Sequence, residues 1–242
     1  GSSMADVTPK QMQAQVELTL QQYLQAHKAG AIKHLRQSAQ APAFSGGEGT
    51  QANPYLVKTV DDLKALSKAV EEDKNTFAGK FFRMENDINL QGVEDLRPIG
   101  NGFDRTADDP TRIRPFMGTF DGNNHSIRNF TFHNDQYAMF GFFGIVKGAT
   151  IKNLTIASGK VEGDHIIGGI VGVGMDGTKI INCHTGKDYE VNCHRFYGGG
   201  IVGGLIGGAA SEITDCTNDA PLTCYFGITG GLVGSNTQDG TK

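Results

Sequence analysis

The strongest constraint on the fold of this chain is a four-residue pattern, glycine–apolar–apolar–glycine, that occurs four times in its second half. The copies occupy residues 141–144, 169–172, 200–203 and 231–234. Their closing glycines are 28, 31 and 31 residues apart. A fixed period of this length is typical of solenoid proteins, in which each repeat forms one coil and buries its apolar face against the next.

Each repeat carries two further apolar positions at matching distances from the glycine pattern. The first series is Ile151, Ile180 and Ile213, and the second is Val161, Val191 and Leu222. These runs are too short and too rich in β-branched residues for helices, so we predict strands. Stacked coils then pair strand on strand in parallel, which predicts an all-β solenoid with three strands per coil. We expect each glycine–apolar–apolar–glycine run to be a strand between two sharp bends, with the glycines where φ is positive or two backbones approach closely.

A polar residue recurs inside the first series, at Asn153, Asn182 and Asp215. Apolar residues flank it three positions apart, which strict alternation along a strand does not allow. Because Asn and Asp tolerate the left-handed backbone conformation, we predict a bend at each of these residues and a polar ladder along the solenoid. A row of side chains that binds a ligand is the alternative interpretation.

The four cysteines also fall at matching repeat positions. Cys183 should stack on Cys216, and Cys193 on Cys224, at the strand spacing of about 4.8 Å. We expect free thiols packed as small apolar groups, with disulfides within each pair as the alternative. The sequence shows no C-x-x-C or His-rich spacing, so we predict no metal site and no cofactor.

The glycine repeats resemble the GLUG motif of bacterial surface and secreted proteins. The residues that carry the likeness upstream of the repeats are 53–57, 59–63, 82–90, 97–100 and 116–127. The resemblance implies a right-handed parallel β-helix and an extracellular or cell-surface location. The family includes adhesins and accessory regions of immunoglobulin A-cleaving metalloproteases. This chain lacks the His-Glu-x-x-His pattern of a metalloprotease catalytic centre.

We divide the chain into four parts. They are an amphipathic helical segment at 5–41, a linker at 42–52, an N-terminal cap with the first coils at 53–140, and repeat coils at 141–242 that we expect to be truncated at the C-terminus. Residues 1–4 are treated as an expression remnant. Thr59 should begin a helix that places Leu63, Leu66 and Val70 on one face, where it covers the exposed strand edges of the first coil.

Candidate binding residues come from two places in the sequence. Tyr189, Tyr197 and Tyr225 are candidates for an exposed aromatic stripe that stacks on sugar rings. The alternative for Tyr197 is a position at a bend, packed against the next coil. The polar insertion at 103–114 supplies Arg105, Arg112 and Arg114, because long loops on a rigid scaffold often carry recognition.

Composition narrows the classes of partner. Lys and Arg number 22 against 26 Asp and Glu, a net charge of −4, which gives no general attraction for nucleic acid. No apolar run reaches the roughly 18 residues that a membrane-spanning helix needs. The sequence shows no clustered acid–base pair and no nucleophile motif.

We therefore predict a non-catalytic cell-surface or secreted module for adhesion or structure. Its rigid β-helix would bind a glycan or a host surface protein and would adjoin further domains of a longer chain. The alternatives are a polysaccharide-active β-helix enzyme, a lyase or a glycosidase, and an accessory region of a large secreted protease.

Overall fold

The computed structural model describes residues 44–101, 113–134, 137–195, 197–206, 209–225 and 227–236, together with three helical positions, Gln11, Ala14 and Leu18. From residue 44 onward, the described part of the chain is a parallel β-solenoid of about five turns with a short helix near its start, which confirms the predicted fold class. Apart from those three positions, the predicted helical segment at 5–41 lies outside the described residues, and so do Arg105 and Arg112.

The elements are short and follow one another closely. They are β1 (Tyr55–Val57), α1 (Val60–Glu71), β2 (Phe81–Met84), β3 (Ile88–Asn89), β4 (Thr119–Arg128), β5 (Phe130–Asn134), β6 (Met139–Phe140), β7 (Phe143–Lys147), β8 (Thr150–Gly163), β9 (Ile166–Gly168), β10 (Val171–Met175), β11 (Lys179–Ile181), β12 (His184–Cys193), β13 (Tyr197–Gly199), β14 (Val202–Ile206), β15 (Glu212–Thr214), β16 (Thr217–Asn218), β17 (Leu222–Cys224), β18 (Ile228–Gly230) and β19 (Val233–Asn236).

Three sheets run along the solenoid, and all pairs between these strands are parallel. The largest follows the order β1-β2-β4-β8-β11-β15, with β3, β5, β12, β16 and β17 attached. The other two have the orders β19-β14-β10-β7 and β18-β13-β9-β6. Ile180 pairs with both Ile151 and Ile213, and Val191 pairs with both Val161 and Leu222. The two apolar series therefore stack in the predicted register.

The glycine pattern contains a bend followed by the start of a strand. In the second copy, Gly169 and Ile170 form the bend and Val171 begins β10. The reason for glycine is close approach of backbones on neighbouring coils. A Cβ atom on Gly203 would lie 2.7 Å from the carbonyl oxygen of Gly172, and one on Gly234 would lie 2.6 Å from that of Gly203. Larger residues at these positions would separate the coils.

The predicted polar bends are confirmed. Asn153, Asn182 and Asp215 have φ values of 56°, 51° and 56°. The Asn182 amide donates to Asn153 Oδ1 at 2.9 Å, and the Asn153 amide donates to Asp121 Oδ1 at 3.0 Å. Asp121, Asn153 and Asn182 thus form a hydrogen-bonded ladder across three coils.

Helix α1 begins where the sequence predicts. Thr59 and Asp62 form a capping box, and Leu63, Leu66 and Val70 are buried in the main core cluster. The helix packs beside β1, the terminal strand of the largest sheet. Its polar side, which ends at Glu71, forms one wall of a groove on the surface.

Candidate functional site

A groove of about 700 Å³ lies where helix α1 meets the first coils. One wall is the polar side of α1, the second is the segment 93–97, and the third is the end of strand β5. The charged and aromatic side chains that line it are Lys64, Lys68, Glu71, Glu72, Glu94, Asp95, Arg97, Phe132 and His133. Three very different segments of the chain therefore converge on one concave surface.

Glu71 is the most tightly held side chain of the groove. Its Oε1 accepts hydrogen bonds from Arg97 Nη1 at 3.2 Å, Asn101 Nδ2 at 3.3 Å and Tyr137 Oη at 3.0 Å. Its side chain is only 16% exposed, and its other oxygen, Oε2, has no partner among the described residues. Since Glu71 lines the groove, Oε2 is a fixed acceptor available to a ligand.

Arg97 offsets an unfavourable position of this carboxylate. Glu71 is the last residue of α1, where the helix dipole is negative and disfavours an acidic side chain. Tyr137 and the Glu71 carboxylate together raise the pKa of Arg97, so the guanidinium stays charged beside the acid. The Arg97 guanidinium therefore supplies positive charge where the helix dipole is unfavourable for an acidic side chain.

Two lysines of α1 line the groove and differ in their ion pairing. Lys64 Nζ contacts Asp95 Oδ1 at 2.9 Å, and this hydrogen bond lowers the pKa of Asp95. Lys68 lies one helical turn further along, is exposed, and has no partner for its ammonium among the described residues. Lys68 is thus a free donor beside the free acceptor of Glu71.

Phe132 supplies an apolar surface at the third wall. It is half-buried on β5, stacks on Tyr137 with ring centroids 6.0 Å apart, and packs edge-on against Phe140 at 5.1 Å. These contacts fix the ring, which is flanked by the exposed Thr131 and His133. An aromatic ring beside a fixed acceptor and a free donor suits a ligand with hydroxyl groups and an apolar face.

The predicted exposed aromatic stripe is wrong for two of its three members. Tyr189 is fully buried, and its hydroxyl donates to the Gly169 carbonyl at 2.6 Å; burial raises its pKa well above the ordinary value. It is buried because it alternates along β12 with Val191 and Cys193, which also face the core. Tyr197 is 7% exposed because it stacks between Ile166 and Ile228.

Tyr225 is the exposed member, with 63% of its surface accessible. One face of its ring stacks on His194, with centroids 5.4 Å apart. His194 Nε2 in turn contacts Glu162 Oε1 at 3.0 Å. Tyr225 does not line the groove.

Of the predicted loop arginines, the structure describes Arg114. Its backbone forms an antiparallel bridge with Asn101, and its Nη1 donates to the Ile113 carbonyl at 3.1 Å. Arg114 does not line the groove, although Asn101 beside it donates to Glu71.

The polar ladder satisfies much of its own hydrogen-bonding capacity. Asn182 Nδ2 donates to the side-chain oxygens of Asn153 and Asn124, and its Oδ1 contacts His184 Nε2. Few amide groups are therefore left for a ligand. Asp215, at the last described bend, is exposed. Bending the strand is therefore the role that these contacts support.

The described part of the chain shows neither a metal-binding cluster nor a membrane-spanning helix. No three His, Cys, Asp or Glu side chains within it lie close enough together to hold a metal ion. None of its helices combines the length and apolar character needed to cross a bilayer.

Comparison with known proteins finds a likeness in fold to a solved structure and a likeness in sequence to two longer proteins. No family model matches it, so the resemblance to GLUG repeats stays an expectation. A solved structure from Bacteroides ovatus, which its name assigns to the immunoglobulin A1 proteases, superimposes with a TM-score of 0.54 and 19% identity over 82% of this chain and 66% of that one. At this identity the likeness concerns the fold.

Two sequence relatives are much longer than this chain. A protein of Evansella cellulosilytica, whose name assigns it to Gly-rich membrane proteins, is 29% identical over 163 residues, which are 66% of this chain and 16% of the relative. Halomucin of Haloquadratum walsbyi is 28% identical over 184 residues, which are 74% of this chain and 2% of the relative. The chain thus spans a small part of each relative.

Proposed function

We propose that this chain is a non-catalytic module of a cell-surface or secreted protein and that it binds a glycan in the groove beside α1. The observation that carries the proposal is Glu71, whose Oε1 accepts three hydrogen bonds while its Oε2 has none from any residue that the structure describes. A carboxylate oxygen held in this way can accept hydrogen bonds from a sugar hydroxyl without first being ordered, which lowers the entropic cost of binding.

The neighbouring groups support a sugar ligand in particular. A sugar hydroxyl both donates and accepts, and the groove offers the Glu71 acceptor beside the Lys68 donor. The half-buried ring of Phe132 offers an apolar surface for the C–H face of a pyranose. The lining carries three cationic and four anionic side chains besides His133, so this near balance of charge favours a neutral glycan over a polyanion.

The comparisons support the surface location. One relative is named as a membrane protein and another as a halomucin, and the solved structure of similar fold is named as a protease. In long proteins of this kind, a rigid β-solenoid would hold its groove at a fixed position relative to the domains that adjoin it.

A panel of immobilised neutral and acidic glycans tests the proposal, with product analysis of every glycan that is bound. We expect binding to neutral oligosaccharides that are recovered unchanged. Release of shorter sugars would support the alternative of a lyase or glycosidase. Absence of binding to every member of the panel would contradict a glycan ligand.

Variants connect any binding to the groove. Glu71→Gln retains one oxygen for the three donors and replaces the free acceptor by an NH₂ group, so binding should be lost or strongly weakened. Lys68→Gln should weaken glycan binding less than Glu71→Gln does. Binding removes water from the exposed Lys68 ammonium, and this desolvation cost offsets part of what its hydrogen bond contributes. Glu190→Gln, the same change on the exposed surface of β12 outside the groove, should bind as the unmodified protein does.

A further inference from the structure

The four cysteines form two pairs on adjacent coils. Cys193 at the end of β12 is the direct ladder partner of Cys224 at the end of β17. Strands β11 and β15 pair in register up to Ile181 and Thr214. In each strand one bend residue follows, and then comes the cysteine, Cys183 or Cys216. The Cys183 N–H donates to Cys216 Sγ at 3.4 Å.

Each pair combines one buried and one accessible thiol. Cys183 and Cys193 are 0% exposed, whereas Cys216 and Cys224 are half-buried. All four cysteines are reduced, Cys216 Sγ accepts the Cys183 N–H, and Cys193 and Cys224 lie opposite each other on neighbouring strands. A reagent from solution therefore meets Cys216 or Cys224 first, with the buried cysteine of the adjacent coil behind it.

The contacts within the first pair also favour the reactive form of the accessible thiol. The hydrogen bond from the Cys183 thiol lowers the pKa of Cys216 to about 7, against the effects of burial and of the Asp215 carboxylate. The same hydrogen bond and burial raise the pKa of Cys183 well above its ordinary value. The hydrogen bond from Cys193 lowers the pKa of Cys224 in the same way. Thiolates, and not thiols, attack disulfides.

We propose that both pairs are inter-coil dithiol sites that a small disulfide oxidises to Cys183–Cys216 and Cys193–Cys224. The accessible thiolate attacks the external disulfide, forms a mixed disulfide and expels one thiolate. The buried thiol then loses its proton, attacks the sulfur of the mixed disulfide on the chain and expels the second thiolate. For each pair, two protein thiols are oxidised and one external disulfide is reduced to two thiols.

The spacing of the coils permits these bonds. Neighbouring strands lie about 4.8 Å apart, which falls within the range of Cα separations that disulfides span. Side chains stacked on parallel strands point the same way, so one of them must rotate. Cys216 and Cys224 have room to do so because they are half-buried. The bonds would tie together the coils that carry β11, β12, β15 and β17.

Oxidised glutathione, added to the folded protein at mildly alkaline pH and quenched with acid, tests the proposal. The intact mass should fall by four hydrogen atoms, with no glutathione retained. Peptide mapping without reduction should link Cys183 to Cys216 and Cys193 to Cys224. Four remaining free thiols, a retained glutathione, or any other pairing would overturn the proposal.

A matched pair of variants tests the order of attack. Cys183→Ala should keep one glutathione on Cys216 while the other pair closes, and Cys193→Ala should do the same on Cys224. Closure without a trapped adduct on the accessible thiol would overturn the assigned order. If either variant fails to fold, the peptide map of the unmodified protein decides the pairing by itself.

Discussion

The hydrogen bonds that hold Glu71 cannot be predicted from the residues next to it in the sequence. Its three donors lie 26, 30 and 66 residues further along the chain. In the sequence it is one more acidic residue at the end of an amphipathic helix. The folded chain brings the donors to one oxygen of Glu71, and long-range contacts of this kind leave no periodic trace.

The bend residues are the opposite case, because local chemistry predicts them. At Asn153 the backbone is left-handed, and the side chain bonds to both neighbouring coils. The two effects can be separated. Asn153→Gly keeps the backbone and loses the hydrogen bonds, which should cost about 1 kcal/mol of unfolding free energy. Asn153→Ala loses the same bonds and keeps a Cβ in the left-handed region without the polar group that lets Asn adopt it, so it should cost about 1 kcal/mol more than the glycine variant.

Chemical denaturation of the two variants measures this difference. Equal stability of the alanine and glycine variants would show that the left-handed backbone is not required at this bend. Equal stability of the glycine variant and the unmodified protein would show that the ladder bonds contribute nothing.

At the scale of elements, the start of α1 depends on the capping box. The Thr59 hydroxyl accepts from the Asp62 N–H, and Asp62 Oδ2 accepts from the N–H groups of Lys58 and Thr59. Thr59→Ala should lower the unfolding free energy by about 1 kcal/mol, whereas Thr59→Ser keeps the hydroxyl and should lie close to the unmodified protein. Thermal or chemical denaturation measures both. A serine variant as unstable as the alanine variant would contradict the cap.

The glycine bends give a second prediction at this scale. A Cβ on Gly200 would overlap the Gly231 carbonyl and the Asn218 side chain, whereas one on Gly231 would meet nothing within 4 Å. Gly200→Ala should therefore cost about 1–3 kcal/mol of stability. Gly231→Ala, at the same place in the repeat, should be neutral or stabilise by a few tenths of a kcal/mol through the unfolded chain. Denaturation curves that coincide for the two variants would contradict stacking of these bends.

The sequence predicts the stacking of the strands better than it predicts where each strand begins. The apolar series predicted which residues stack, because stacking repeats the same side-chain type on every coil. It did not predict that the strand starts at the third residue of the glycine pattern, since spacing alone cannot separate a bend from a strand. The exposed stripe followed residue type alone, whereas alternation along β12 with the buried Val191, two residues further on, places Tyr189 on the core face.

For the whole molecule, the candidate site lies where the repeats are irregular. The regular coils present a ladder that satisfies much of its own hydrogen bonding, whereas helix α1, the segment 93–97 and strand β5 leave a groove between them. The sequence indicated α1 and a strand-rich solenoid, but the meeting of these three segments depends on the path of the chain between them. A concave site that holds the Glu71 carboxylate by residues distant in the sequence is therefore a property of the assembled fold.

The most direct test of the proposed function is a calorimetric titration of a glycan bound in the panel, with the unmodified protein, Glu71→Gln and Glu190→Gln compared side by side. A lost hydrogen bond to a charged group is worth about 1.5–3 kcal/mol, so the Kd of Glu71→Gln should rise about 10- to 100-fold. The Kd of Glu190→Gln should not change. Equal affinity of all three proteins would show that the glycan binds elsewhere and would contradict the groove as the binding site.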